Sequence, residues 1–294
     1  MSLLEQENYG AALEQFDRAV ELNPQLALAY SGMGRVYLAM GQLEPALKAY
    51  QQAVKTDPFN SQDALWLGKV YQRVSRVRDA VRAYLHAVDL EPASFEGQLN
   101  LGVCYMELGE PGRSIERFAK ALELDPDSTF AYSNLGAAYD MTGSYDNAIR
   151  AYKEALERDD KQPMVLVNLG TTYLKQEQFN PAESVFRKAI EINTSLWVAH
   201  ERLAYCLYRQ GKLDEAERMY RHTLDLNRDL PTAHAGLGVV LMARYLKTAA
   251  PSTQPAPTTS EAVNLQKQAR EQWERSLKLN PDQPVIKQFL EMHH

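Results

Sequence analysis

Cysteine and histidine are the residue types in this chain whose chemistry would be the most distinctive. Cys104 and Cys206 are its two cysteines, and His200 and His234 are the histidines with the most regular spacing. A thiol pair could form a disulfide, and two histidines with further ligands could bind a metal, but no cysteine or carboxylate cluster with metal-ligand spacing accompanies them. The sequence has no phosphate-binding glycine loop and no G-x-S-x-G nucleophile motif. We predict no catalytic residue, no metal site and no cofactor.

The spacing of these residues indicates a repeat instead. The histidines lie one 34-residue interval apart, the cysteines lie three, and four prolines repeat at the same interval, namely Pro24, Pro58, Pro92 and Pro126. Glycine and tyrosine keep the interval too, at Gly34, Gly68, Gly102, Gly136 and Gly170 and at Tyr37, Tyr71, Tyr105, Tyr139 and Tyr173. A period held this long predicts a stack of repeats. The cysteines are then buried packing residues several repeats apart that cannot pair, and the histidines occupy a packing position.

Each repeat is predicted to consist of two helices. In residues 129–162, the side chains of Tyr132, Leu135, Gly136 and Tyr139 fall on one helical face. Gly143 then supplies a residue that tolerates the left-handed conformation at a helix end. Asp146 is predicted to cap the second helix. The pattern therefore predicts an all-α fold.

The pattern resembles the tetratricopeptide repeat (TPR), whose signature is W-x2-L-G-x2-Y, then A-x3-F, then Pro. Residues 95–128 carry it as Gln98, Leu101, Gly102, Tyr105, Ser114, Phe118, Ala121 and Pro126. The resemblance covers nearly the whole chain. It implies a right-handed α-solenoid, a superhelix of helix-turn-helix repeats with a concave inner surface.

The domain prediction is a single superhelical domain over residues 1–294. It comprises a partial first repeat (1–26), six 34-residue repeats (27–230), a repeat with a Pro/Thr/Ser-rich insertion near 248–260 (231–283) and a C-terminal capping helix (284–292). One repeat, 197–230, has Ala204 and Leu207 where the others have glycine and tyrosine. Its packing is therefore expected to differ.

Composition and charge limit the classes of partner. The chain has 45% hydrophobic and 24% charged residues, as an ordinary soluble protein does. With 32 Lys+Arg against 38 Asp+Glu, its net charge of −6 argues against nucleic acid as a partner. No stretch approaches the roughly 18 uninterrupted apolar residues of a membrane span. A protein or peptide ligand is the partner that remains.

Asparagine recurs at a position that the resemblance places on the concave surface. In the TPR family this surface is lined by positions 2, 5, 6, 9, 12 and 13 of the first helix. Position 6 is Asn100, Asn134 and Asn168 in three consecutive repeats. These residues resemble the asparagine ladder in the TPR arm of O-linked N-acetylglucosamine transferases, which holds extended peptides by their backbone. The simpler interpretation, polar residues on a solvated face, stays open.

Basic residues map to both ends of the same surface. Arg35, Lys69 and Arg73 belong to the early repeats, Arg202 and Arg209 with Tyr205 and Tyr208 to the repeat at 197–230, and Lys175 lies between them. Basic groups beside aromatic rings could anchor the carboxylates of a ligand. The alternative is a solvated face with internal ion pairs. The family's carboxylate clamp for chaperone tails is not reproduced, since Ser133, Ala137 and Val198 occupy its positions.

Three hypotheses for function follow. The first is a non-enzymatic scaffold that binds an extended peptide or protein segment in the concave groove. The second is the substrate-recruiting TPR arm of a larger enzyme, such as a glycosyltransferase. The third is self-association through the incomplete first repeat, at Leu3, Leu4 and the apolar face around Phe16.

Overall fold

The computed structural model describes residues 8–249 and 259–292, and within these residues the fold is all-α. The predicted all-α class, built of helix-turn-helix repeats, is confirmed: the described residues form sixteen α-helices and no strand. In chain order the helices are α1 (Tyr9–Leu22), α2 (Ala27–Ala39), α3 (Leu43–Thr56), α4 (Ser61–Arg73), α5 (Val77–Leu90), α6 (Phe95–Glu107), α7 (Pro111–Leu124), α8 (Thr129–Met141), α9 (Tyr145–Arg158), α10 (Pro163–Lys175), α11 (Phe179–Ile192), α12 (Trp197–Arg209), α13 (Leu213–Leu226), α14 (Pro231–Ala249), α15 (Thr259–Leu279) and α16 (Pro284–Met292).

The chain divides into two compact units, residues 1–151 and residues 152–294, here called the N-terminal unit and the C-terminal unit. Within the N-terminal unit, α2 pairs with α3, α4 with α5 and α6 with α7, and each second helix also packs on the next first helix. The C-terminal unit repeats this arrangement with α10 and α11, α12 and α13, and α14 and α15. The predicted single domain over residues 1–294 stays a prediction.

Polar side chains and proline start the first helices. The N–H of Asp63 donates to Asn60 Oδ1 (3.1 Å), and the N–H of Gly97 donates to Ser94 Oγ (3.2 Å). Each bond satisfies a backbone donor that has no partner inside the helix. Pro163 occupies the first turn of α10, where its missing N–H has no consequence.

A residue with positive φ follows six of the first helices, α2, α4, α6, α8, α10 and α12. The φ angles of Gly41, Gly109, Gly143 and Gly211 lie between 71° and 77°, as predicted for Gly143. Two residues after Gly143, Tyr145 already begins α9, so Asp146 lies inside the helix and is not its cap. The prediction for Asp146 is wrong because the turn is tight: the N–H of Ser144 already donates to Tyr139 O (2.9 Å).

An aromatic ring lies against a glycine in several of the first helices. A Cβ added to Gly102 would be 2.5 Å from the Phe118 ring, and a Cβ added to Gly170 would be 2.5 Å from the Phe186 ring. Both rings are fully buried. The two helices of a repeat can approach this closely only because the facing residue has no side chain.

The repeat at 197–230 packs differently, as its sequence predicts. Ala204 has a Cβ at the position where the other repeats have glycine, and Tyr220 lies instead against Gly236 at the start of α14. Phe16 in the N-terminal unit likewise lies against Gly32 of the following helix. Gly32 and Gly236 occupy position 6 of their first helices, the position that is asparagine in three other repeats. In these two repeats position 6 therefore packs against the aromatic ring of the preceding repeat.

The last helices differ from the prediction in length. α14 has 19 residues and α15 has 21, against 13 and 14 in the preceding repeat. Both ends of the predicted 248–260 insertion are therefore helical, and its residues 250–258 lie outside the described part. α16 occupies the span predicted for the capping helix, with Ile286 buried. Among the helices of residues 8–249 and 259–292, none combines the length and apolar character needed to cross a membrane.

Candidate functional site

The three asparagines lie on the first helices α6, α8 and α10, and each is half-buried. Asn100 and Asn134 belong to the N-terminal unit and Asn168 to the C-terminal unit. The Asn134 Nδ2 donates to Phe130 O of its own helix (2.8 Å). Asn100 and Asn134 thus lie on helices α6 and α8, which contact each other.

Exposed apolar side chains flank Asn134 and Asn168. Phe130 is 59% exposed and lies four residues before Asn134, and Met141 is 53% exposed and lies seven residues after it. These spacings place all three on one helical face. In the C-terminal unit, Met164 stands in the same relation to Asn168 and is 50% exposed. Sequence reasoning misses them because apolar residues at helical spacing predict a core, although an apolar residue also recurs at this position in Leu28.

The basic residues of the N-terminal unit differ in whether they are paired. The Lys69 Nζ lies 2.7 Å from Glu96 Oε1 and 3.9 Å from the centroid of the Trp66 ring. Its charge is therefore already compensated. Arg35 and Arg73 are exposed, and neither has an ion-pair partner among the described residues.

The basic residues of the C-terminal unit differ in the same way. Arg209 donates to Tyr205 Oη (2.9 Å) and to Glu177 Oε1 (2.9 Å), and its guanidinium lies 5.0 Å from the Phe179 ring centroid. Lys175 is exposed at the end of α10. Arg202 is exposed, and no described carboxylate forms an ion pair with it. Arg202 is thus better placed than Arg209 to meet a ligand anion.

The two cysteines are buried in the packing between helices, each with no exposed surface. Burial raises the pKa of the Cys104 thiol to about 12. Burial also raises the pKa of Cys206, whose Sγ donates to Phe179 O (3.3 Å). Both side chains are therefore protonated thiols at neutral pH, and a thiol is a much weaker nucleophile than a thiolate.

The two histidines make the same structural hydrogen bond. The Nε2–H of His200 donates to Thr194 O (2.9 Å), and that of His234 donates to Arg228 O (3.0 Å), each six residues back. Gln98 makes the equivalent bond to Pro92 O (3.2 Å). Among the described residues, no group of three or more His, Cys, Asp or Glu side chains is arranged to hold a metal ion. The histidines hold the turn between repeats.

His200 gives the C-terminal unit a dependence on pH. Burial is the main cause that lowers its pKa, and the His222 ring 4.5 Å away lowers it further. The unfolded chain, with a histidine pKa of about 6.5, binds the proton more readily, so stability falls as pH drops below that value. His200→Gln should keep the hydrogen bond, as Gln98 does, and flatten the pH dependence of urea unfolding between pH 7 and 5.

His200→Ala is the contrasting variant. It removes the hydrogen bond and leaves space, so it should lower stability by about 1–3 kcal/mol even at pH 7.5. If His200→Gln unfolded with the same pH dependence as the unchanged protein, the assignment to His200 would be wrong.

Comparisons with known families point in one direction. Two family models described as Tetratricopeptide repeat match residues 3–66 and 93–161. A third, described as Anaphase-promoting complex, cyclosome, subunit 3, matches residues 141–223. A search of curated proteins finds no match.

Solved structures of similar fold agree with these families. The MamA protein is 27% identical, with a TM-score of 0.55 over 57% of this chain and 92% of MamA. YrrB, a TPR protein with an unusual peptide-binding site, is 24% identical, with a TM-score of 0.59 over 64% of this chain and 96% of YrrB. A tetratricopeptide repeat protein from Parabacteroides merdae is 17% identical, with a TM-score of 0.67 over 91% of this chain and 98% of its own. At 24% and 17% identity, YrrB and the Parabacteroides merdae protein show similarity in fold alone.

Proposed function

Because the chain belongs to the tetratricopeptide repeat family, we propose that it is a non-catalytic scaffold that binds an extended peptide or protein segment along its first helices. The observation that carries this proposal is the face of α8 on which Asn134 lies with the exposed side chains of Phe130 and Met141, next to helix α6 with Asn100. The peptide-binding site named for YrrB gives further support.

The asparagines would recognise the ligand backbone. A carboxamide offers two donors and an acceptor, which match the N–H and C=O of a peptide group. Packed helices lie about 10 Å apart, and an extended chain rises about 3.3 Å per residue. Asn100 and Asn134 would therefore meet every third residue of the ligand, and recognition by them would tolerate many sequences.

The exposed apolar side chains would supply much of the affinity. A hydrogen bond that replaces bonds to water contributes only about 1 kcal/mol, whereas covering a large apolar side chain contributes about 1.5–3 kcal/mol. Three such side chains are available for these contacts: Phe130 (59% exposed) and Met141 (53%) in the N-terminal unit and Met164 (50%) in the C-terminal unit. The ligand is accordingly expected to be extended and rich in apolar residues.

Replacing Asn100, Asn134 and Asn168 together by alanine tests the proposal. Loss of three hydrogen bonds of about 1 kcal/mol each should weaken capture of ligands from a displayed peptide library by about 100-fold. Circular dichroism should change little, because the side chains are half-buried surface groups. The matched control is Asn180→Ala, an exposed asparagine on the second helix α11. Equal capture by the triple variant and the control would contradict the role of the asparagines.

The two alternative functions stay proposals. The same surface would serve the substrate-recruiting arm of a larger enzyme, which the full-length reading frame would identify by an attached catalytic domain. Self-association would use the incomplete first repeat of the N-terminal unit. Leu3 and Leu4 lie outside the described residues, and Phe16 is half-buried against Gly32. Light scattering over a concentration series distinguishes a dimer from a monomer.

A further inference from the structure

An apolar pocket opens in the C-terminal unit beside α14. Its volume is ≈ 170 Å³, and its walls include Tyr208 of α12, Val239, Met242 and Leu246 of α14, Trp273 of α15 and Phe289 of α16. A cavity of roughly 150 Å³ holds a benzene molecule. The pocket therefore has the size of one large apolar side chain.

The pocket has a buried base and an exposed rim. Trp273 is 1% exposed, and its ring lies 5.3 Å from the Phe289 ring. Leu246, by contrast, is 53% exposed. A side chain that enters would meet a preformed base, so little ordering of the protein would oppose binding.

The helix that contributes Tyr208 to this pocket also carries an exposed positive charge, Arg202. Arg202, Tyr205 and Tyr208 follow one another at three-residue steps along α12, so they are spread over about 120° of the helix surface with Tyr205 between the other two. Arg202 has no carboxylate partner among the described residues, and its sequence neighbour Glu201 is buried. Arg202 and Tyr208 are six residues apart, which is about 9 Å along the helix.

We propose that the C-terminal unit selects a ligand segment in which an acidic residue lies about three positions from a bulky apolar residue. The apolar side chain fills the pocket, and the carboxylate pairs with Arg202. Three residues of extended chain span about 10 Å, which is close to the rise of about 9 Å along α12 from Arg202 to Tyr208 in the pocket wall. This inference rests on the proposed peptide-binding function and names the class of peptide that this unit prefers.

The probes are labelled nonapeptides of glycine and serine that carry one glutamate and one phenylalanine, in both orders and at separations of one to five residues. Fluorescence anisotropy should show at least tenfold tighter binding at a separation near three in one of the orders. Replacing phenylalanine by alanine, or glutamate by glutamine, in the best peptide should each remove that gain.

Variants of the protein test each contact. Arg202→Glu should weaken the best peptide at least tenfold, and a peptide with lysine in place of glutamate should restore binding. Its control is Arg218→Glu, the same charge change at an exposed site on α13, which should leave affinity unchanged. Ala243→Phe should fill the pocket and weaken binding at least tenfold, and Leu246→Asp at the rim provides a second variant if the first fails to fold.

The outcomes separate this inference from the proposed function. Suppose that the unchanged protein captures library peptides, and that Arg202→Glu and the pocket variants bind the nonapeptides with the same affinity as the unchanged protein. This inference is then overturned and the proposed function stands. A protein that captures no peptide overturns both. A pocket variant that turns a dimer into a monomer in light scattering assigns the pocket to a second copy and overturns the inference.

Discussion

Replacing Gly102 by alanine is expected to lower the free energy of unfolding by about 2–3 kcal/mol. The added Cβ would stand 2.5 Å from Cε1 of Phe118, closer than carbon atoms can pack. Phe118 has no exposed surface, and it lies in a core cluster with Leu99 and Leu135, so its ring cannot move aside without opening that cluster. Urea unfolding followed by far-ultraviolet circular dichroism measures the effect.

Gly112 supplies the matched control on the partner helix α7. No atom lies within 4 Å of a Cβ added there, so Gly112→Ala should be neutral or stabilise the protein by up to about 1 kcal/mol. Adding Phe118→Leu to Gly102→Ala should recover part of the loss, because a smaller side chain relieves the clash. If both glycine variants had the same stability, close packing at Gly102 would not be what the repeat requires of this position.

Ala204 shows how far the sequence predicts such packing. The 34-residue period predicts which residues face the neighbouring helix, since the period combines helix geometry with a turn of fixed length. The substitution at Ala204 predicts a local difference, but not where the ring of Tyr220 goes. That depends on space at Gly236, 32 residues after Ala204, where the absence of a side chain opens a second position for the ring. Phe16 and Gly32 make the same contact, so a ring lies against a glycine at position 6 of the following first helix in both of these places.

The binding surface is less predictable than the packing. Position in the repeat predicts which basic residues are accessible to solvent, and Arg35, Arg73 and Arg202 are exposed. It does not predict that Lys69 pairs with Glu96 and Arg209 with Glu177, because each pair joins two repeats through side-chain conformations. The pocket beside α14 is hidden in the sequence for a similar reason. Its walls come from four helices, and each wall residue alone has the pattern of a core residue.

Replacing Trp273 by alanine is expected to destabilise the C-terminal unit by about 3–5 kcal/mol, the range for removing a buried large aromatic side chain. Trp273 lies against Gly238 of α14, and its ring centroid lies 5.3 Å from that of Phe289 of α16. One side chain therefore joins α14, α15 and α16. The loss should therefore appear first as faster amide hydrogen exchange in α15 and α16, and as a lower urea midpoint in circular dichroism.

Trp197 provides the comparison because it has the same side chain in the same unit but is 36% exposed. Trp197→Ala should cost less, about 1–3 kcal/mol, since part of the side chain is already in contact with water and its removal leaves an open surface instead of a closed cavity. In a repeat protein each helix pair is stabilised mainly by its neighbours, so a defect at one end loosens that end before the rest unfolds. If Trp273→Ala accelerated hydrogen exchange in α10 and α11 as much as in α15 and α16, this local coupling would be contradicted. That result would mean that the C-terminal unit unfolds as one cooperative body.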